Sequence, residues 1–227
     1  MPFQDLPARV AEVRSTIEQA RVRGGRGQEV TIVAVTKTYG ADAAVAAWES
    51  GMKDVGENRV QEAVSKMKEM SVPLRWHLIG HLQRNKVKQL DGFHLVHSMD
   101  SARVCDALDA YGRDRGRPMD VLVQVNVSGE GTKGGYEPAD VEREAERLAA
   151  MPGLVVRGVM TMAPFDASEM TLRRVFGGAR ASAETLRAAG LPATELSMGM
   201  SGDYVVAVEE GATLVRLGTV LFGARSA

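Results

Sequence analysis

A chain of 227 residues with 44% hydrophobic and 25% charged residues has the balance of an ordinary globular protein. Its 28 Lys and Arg stand against 29 Asp and Glu, and the net charge of -1 excludes any global attraction to nucleic acid or an anionic membrane. No run reaches the roughly 18 apolar residues of a membrane span, no basic and apolar leader opens the chain, and one cysteine, Cys105, cannot form an internal disulfide, so the expected setting is reduced and cytoplasmic.

Residues 5–22 place Leu6, Val10, Val13 and Ile17 at helical spacing, so an amphipathic helix opens the chain. Gly24-Gly25-Arg26-Gly27 ends it and reads as a linker. Residues 30–38 are an unbroken β-branched and apolar run that delivers Lys37 to its carboxyl end, before Tyr39-Gly40 turn the backbone. A run apolar on both faces is a strand of a parallel sheet, covered on each side. Taken alone, Lys37 is the first polar residue after a core strand.

The pattern then repeats. Asp42 is placed to cap a helix through Trp48, which Gly51 ends, and residues 52–56 supply a second strand. The helix predicted over 60–70 carries Val60, Val64 and Met67 on one face. Strands follow at 74–80, 94–98, 119–127, 154–162, 194–198 and 212–217, with helices at 85–90, 101–111, 138–151, within 168–189, and at 204–210. Eight strands, each followed by helical sequence except the last and with no break in composition, give a single (β/α)8 TIM barrel over residues 1–227, with an extra N-terminal helix.

In such a barrel all strand ends share one mouth. Lys37, Glu57-Asn58-Arg59, Gly80-His81-Leu82-Gln83, Asp100, Asn126, Thr161-Met162 and the last two strand ends are therefore potential neighbours. Residues 197–203, Ser-Met-Gly-Met-Ser-Gly-Asp, put small residues and hydroxyls between the seventh strand and a helix. Arg216-Leu217-Gly218-Thr219 closes the eighth with a glycine and a hydroxyl. Barrels commonly hold phosphate in these two loops. A phosphate cradle facing a strand-end lysine suggests a phosphorylated aldehyde held as an imine, and pyridoxal phosphate is the obvious candidate. An always-charged Arg216 donating to the pyridine nitrogen would keep that nitrogen unprotonated and weaken the ring as an electron sink.

Ala34-Val35-Thr36-Lys37-Thr38, Gly56-Glu57-Asn58-Arg59, Trp76-His77-Leu78-Ile79-Gly80-His81, His97-Ser98-Met99-Asp100-Ser101, Gln124-Val125-Asn126-Val127-Ser128, Gly158-Val159-Met160-Thr161-Met162-Ala163-Pro164, 196–203 and 216–223 resemble, in order and spacing, the pyridoxal phosphate homeostasis protein family. These proteins are single-domain barrels similar to the amino-terminal domain of alanine racemase. The resemblance implies that Lys37 forms the internal aldimine and that Asn58 lies near the ring hydroxyl. It further implies that Ser201, Gly218 and Thr219 hold the phosphate, that Arg216 faces the pyridine nitrogen, and that His77, Met160 and Met198 line the pocket. No residue is assigned to catalysis or to a metal. His81 stands where the family often has proline or a small residue, and the loop 129–136 is unusually glycine-rich.

Two motifs are decoys. Gly129-Glu130-Gly131-Thr132-Lys133-Gly134 formally satisfies the dinucleotide pattern, but residues 135–138 delay the helix and no acidic residue follows at the required distance. Lys133 reads instead as a loop lysine near the mouth. His77 and His81 have the spacing of a helical metal pair but lie on a strand and its turn. The expected function is intracellular binding and delivery of pyridoxal phosphate, with apo pyridoxal-phosphate enzymes as recipients and a monomer as the working unit. The alternative is an amino-acid racemase, which needs a base on each face of the substrate carbon. Tyr39 shares the Lys37 loop, and the chain ends soon after its eighth strand, so neither offers that second base. A cofactor-free interaction barrel is a third possibility and would yield a colourless protein.

Overall fold

The computed structural model describes residues 3–131 and 134–223; Thr132 and Lys133 of the glycine-rich loop lie outside that set. The opening helix α1 (Leu6–Gly24) buries Leu6, Val10, Val13, Ile17 and Ala20, one residue every three or four, and ends at Gly25, whose positive φ of 63° lets its N–H return to the Arg21 and Val22 carbonyls.

Eight strands follow: β1 (Thr31–Val35), β2 (Asp54–Glu57), β3 (Arg75–Leu78), β4 (Phe93–Met99), β5 (Met119–Gln124), β6 (Leu154–Met160), β7 (Glu195–Ser197) and β8 (Leu214–Leu217). All pair in parallel in sequence order, and β8 returns to β1 through Thr31↔Leu214 to Ala34↔Leu217, so the sheet closes into a (β/α)8 barrel without an edge. The α-helices between strands are α2 (Ala41–Glu49), α3 (Val60–Glu69), α4 (Ala102–Asp114), α5 (Pro138–Ala149), α6 (Glu169–Ala188) and α7 (Tyr204–Glu209). None of the described helices is long and apolar enough to cross a membrane.

Two layers of core result. Ile32, Ala34, Val55, Val121, Val159 and Val215 face the helices, while Val33, Leu95, Leu122, Met160 and Leu214 form a separate cluster inside the barrel, with Met162 packed on it. That inner cluster makes the barrel a filled core and not a pore.

Four local expectations are corrected. The cap of α2 is Gly40 in extended conformation, and Asp42 sits inside the first turn, where its charge still favours the helix dipole. Residues Arg84–Gln89 form a 3-10 helix. The buried residues of α3 are Val60, Ala63 and Lys66, so its inner face is rotated from the predicted stripe. The last strand does have a helical sequel, α8 (Thr219–Phe222).

The seam between β6 and β7 brings backbone close against backbone. A Cβ added at Gly158 would lie 1.8 Å from the Glu195 carbonyl oxygen. Only hydrogen fits there. Gly158→Ala is expected to force β6 and β7 apart and to cost about 1–3 kcal/mol, the usual penalty of overpacking; urea unfolding of the variant measures it, and an unchanged midpoint would contradict this packing.

Candidate functional site

The lysine leaves β1 under close control. Thr36 N–H donates to the Gly56 carbonyl at 3.1 Å and Thr36 Oγ1 to Glu57 Oε1 at 2.6 Å. Lys66, buried on α3, donates through Nζ to the Thr36 carbonyl at 2.9 Å, to Glu57 Oε1 at 2.7 Å and to Glu62 Oε1 at 3.2 Å. Glu62 Oε1 in turn accepts the Thr38 N–H at 2.8 Å. Both neighbours of Lys37 are thus pinned by one ion-pair cluster. Thr38 has a φ of 69°, which a β-branched residue adopts only under constraint, at a cost of about 1–3 kcal/mol. Burial pushes the Glu57 carboxyl up despite Lys66 and Thr36. Burial also pushes Glu62 up, but the Thr38 N–H and Lys66 outweigh it and hold that carboxyl below its ordinary value.

Barrel closure sets β8 beside β1, and so sets the Lys37 turn beside the loop at Gly218. Ser201 Oγ accepts the N–H groups of Gly218 and Val220, each at 3.3 Å, which joins the two loops of the expected cradle. Thr219 is exposed on the first turn of α8. Gly199 turns the other loop with a φ of 90°, and a Cβ there would meet the Ala207 Cβ at 2.6 Å. Asn58 follows β2 and presses its backbone on Gly80, where a Cβ would sit 2.4 Å from the Asn58 oxygen. The structure therefore brings Lys37, Ser201, Gly218 and Thr219 to one side of the mouth, with Asn58 on the next strand end.

Arg216 lies below this rim with 5% of its surface exposed. Its Nη1 donates to Ser197 Oγ at 2.7 Å and its Nη2 to the Thr161 carbonyl at 3.0 Å. Burial pushes its guanidinium down to about 10, so it stays charged near neutrality. His97 Nδ1 lies 2.8 Å from the same Ser197 Oγ, His77 Nδ1 lies 2.8 Å from His97 Nε2, and His77 Nε2 lies 2.9 Å from Asp54 Oδ1. Arg75 donates to Asp54 Oδ2 at 2.5 Å. His77 is consequently engaged on both ring nitrogens inside the barrel. Met160 belongs to the inner apolar cluster, whereas Met198 packs in the outer layer against the helices. His81 is exposed and sits 2.9 Å from Asp100 Oδ2.

Tyr39 turns away from the strand end. Its ring packs on Phe3 and Phe222 with centroids 5.8 and 5.3 Å away, and its hydroxyl donates to the Gly223 carbonyl at 3.5 Å. A cavity of about 700 Å³ opens at the opposite, amino-terminal face of the barrel, lined by Arg14, Lys53, Asp54 and Arg75 among others. Strand-end chemistry is not gathered there, and barrel sites lie at the carboxyl ends.

The sequence reading assigned no role to Asp54, Lys66 or Glu62, carried His97 only inside a family motif, and placed Ser197 in the phosphate loop and not inside the barrel. One signal was available for Asp54, His97 and Ser197. With the inward phase of each strand fixed by its neighbours' register, Asp54, His77, His97, Ser197 and Arg216 all become polar residues in an otherwise apolar interior. Lys66, four residues after Glu62 on a charged helix, carried no such signal.

Comparison with known proteins supplies a family. The sequence profile of the alanine racemase N-terminal domain matches residues 9–226. A pyridoxal phosphate homeostasis protein of Aquifex aeolicus is 39% identical over 221 residues, covering 96% of this chain and 97% of its own. The structure of PipY from Synechococcus elongatus with pyridoxal phosphate bound superposes with a TM-score of 0.85 at 36% identity, covering 96% of this chain and 100% of PipY. Alanine racemase of Clostridium difficile, at 13% identity and a TM-score of 0.76, shares the fold over 94% of this chain and 56% of the racemase.

The buried imidazole gives the fold a pH dependence. Burial, then His77 and Arg216, holds His97 well below its ordinary 6.5. As pH falls through the unfolded-state value, the unfolded chain takes up a proton that the folded chain refuses, so stability falls, by at most about 1.4 kcal/mol per pH unit for one group. His94, on the exposed face of β4, acts in the same direction. Glu57, held high, acts in the opposite direction at lower pH. His97→Gln is therefore expected to flatten the loss of melting temperature between pH 6.5 and 5; an unchanged slope would contradict a neutral His97.

Proposed function

Because the chain belongs to the alanine racemase N-terminal domain family, and within it to the pyridoxal phosphate homeostasis proteins, we propose that it binds pyridoxal phosphate as a Schiff base on Lys37. Its role is then to hold and deliver the cofactor without efficient amino-acid turnover. The observation that carries this reading is the seam between β1 and β8, which sets a strand-end lysine beside a loop pair joined by Ser201, Gly218 and Val220. When bound, the cofactor supplies an aldehyde that condenses with amines and a ring that withdraws electrons.

The residues present fit that group by their chemistry. Lys37 offers the amine, while Ser201, Thr219 and the backbone at Gly218 offer hydroxyl and amide donors for a phosphate. Arg216, buried and charged, offers a donor to the pyridine nitrogen and no proton that the nitrogen can keep. Asn58 would lie near the ring hydroxyl, Met160 of the inner apolar cluster would line the pocket, and His77 and Met198 would support it from behind. Tyr39, tied to the Gly223 carbonyl and packed between Phe3 and Phe222, is not a base for the opposite face, which supports storage over racemisation. The proposed setting is cytoplasmic, the working unit is a monomer, and the recipients are apo enzymes that use the same cofactor.

Borohydride reduction of the loaded protein is expected to fix the chromophore on Lys37, as peptide mapping would show, and Lys37→Ala is expected to abolish the reducible band. A retained band in that variant would remove the central assignment. The double variant Ser201→Ala, Thr219→Val is expected to weaken cofactor binding by about tenfold or more, in line with the loss of two donors to a charged group. Titration of the visible band measures this, and an unchanged affinity would place the phosphate elsewhere.

A further inference from the structure

Five residues on five strands of the barrel form one continuous chain of hydrogen bonds: Arg216 on β8, Ser197 on β7, His97 on β4, His77 on β3 and Asp54 on β2. Each is at most 5% exposed. The chemistry of the groups fixes the direction of every link. Arginine only donates, so Ser197 Oγ accepts from Arg216, and the single Ser197 proton is left for His97 Nδ1. That nitrogen must then be bare, and His97 carries its proton on Nε2, donating to His77 Nδ1. His77 likewise carries its proton on Nε2, donating to Asp54 Oδ1. The opposite polarity would leave the buried Ser197 hydroxyl proton without its His97 acceptor and would need an extra proton on His77 or Asp54.

We infer that Ser197, His97, His77 and Asp54 are positioning residues, a one-way donor relay anchored on the Asp54 carboxylate that holds the Arg216 guanidinium at the barrel mouth. The relay also has an outer end. Asp54 is paired with Arg75, whose side chain is half exposed, and both line the cavity at the amino-terminal face. The anchoring charge thus sits at the face opposite the mouth, and the relay spans the interior between them. Its bearing on the cofactor rests on the function proposed above, since Arg216 matters there as the partner of the ring nitrogen. The relay itself does not depend on that reading.

The test has two arms. In the cofactor-free protein, two-bond proton–nitrogen correlation of labelled histidine is expected to show His77 and His97 both neutral and both protonated on Nε2 at pH 7. A proton on Nδ1 of either ring, or a charged His77, would overturn the relay. In the loaded protein, Ser197→Ala is expected to lower the affinity for pyridoxal phosphate by about three- to tenfold, as for one lost buried hydrogen bond, and to make the visible band respond to pH where the parent does not. Ser197→Thr, which keeps the hydroxyl, is expected to restore both. An unchanged affinity and pH response in Ser197→Ala would overturn the positioning role. Failure of the parent protein to bind the cofactor would overturn the proposed function instead, and the histidine tautomers would still decide the relay.

Discussion

Closure of the sheet is the constraint on which the rest of this structure depends. The pairing of β8 with β1 removes the two edges that an open sheet would expose, and it does more than satisfy backbone groups. It makes the last strand end a neighbour of the first. Lys37 follows β1 and Gly218 follows β8, so residues 181 positions apart are brought to the same rim by a register that runs from Thr31↔Leu214 to Ala34↔Leu217. A ligand with a carbonyl at one end and a phosphate at the other needs this juxtaposition, and in the proposed function the two loops joined through Ser201 would take its phosphate.

A closed barrel also has to fill its interior, and this one does so with two materials. Val33, Leu95, Leu122, Met160 and Leu214 form an apolar plug. Beside it runs a buried polar chain, which is tolerated because each member has partners and because its two ends carry opposite charges, Arg216 at one and Asp54 at the other. A second buried cluster lies outside the strands, where Lys66 meets Glu57 and Glu62. One ammonium against two carboxylates suits a place where one carboxyl is pushed toward its neutral form by burial. The cluster holds both peptide units that flank Lys37, and the left-handed Thr38 that follows them shows that the turn is imposed from outside.

The fold was largely legible in the sequence because a strand buried on both faces leaves an unbroken apolar run, and eight such runs alternating with helical periodicity leave few architectures. Lys37, Ser201 and Gly218 were legible for the same reason, since each stands just after a strand. Facing direction was harder to read. When both faces of a strand are apolar, the sequence does not say which residue looks inward, and so His77 read as a pocket residue and Ser197 as part of the phosphate loop, while His97, their partner in space, was noted only as part of a motif. Lys66 was hidden by its neighbourhood of charged residues, and its burial follows only from α3 being rotated so that Val60, Ala63 and Lys66 face the barrel. Met198, which the family resemblance implied as pocket lining, packs among the helices. The helix α8 was too short, at four residues, to leave a period.

The central claim is that one mouth gathers an amine, a phosphate cradle and a guanidinium for a single ligand. The most direct measurement is a crystal structure of the protein loaded with pyridoxal phosphate. The account predicts density continuous with Lys37 Nζ, the phosphate against Ser201, Gly218 and Thr219, and the ring nitrogen facing Arg216. Cofactor density bonded to another lysine, or seated in the cavity at the amino-terminal face, would contradict it.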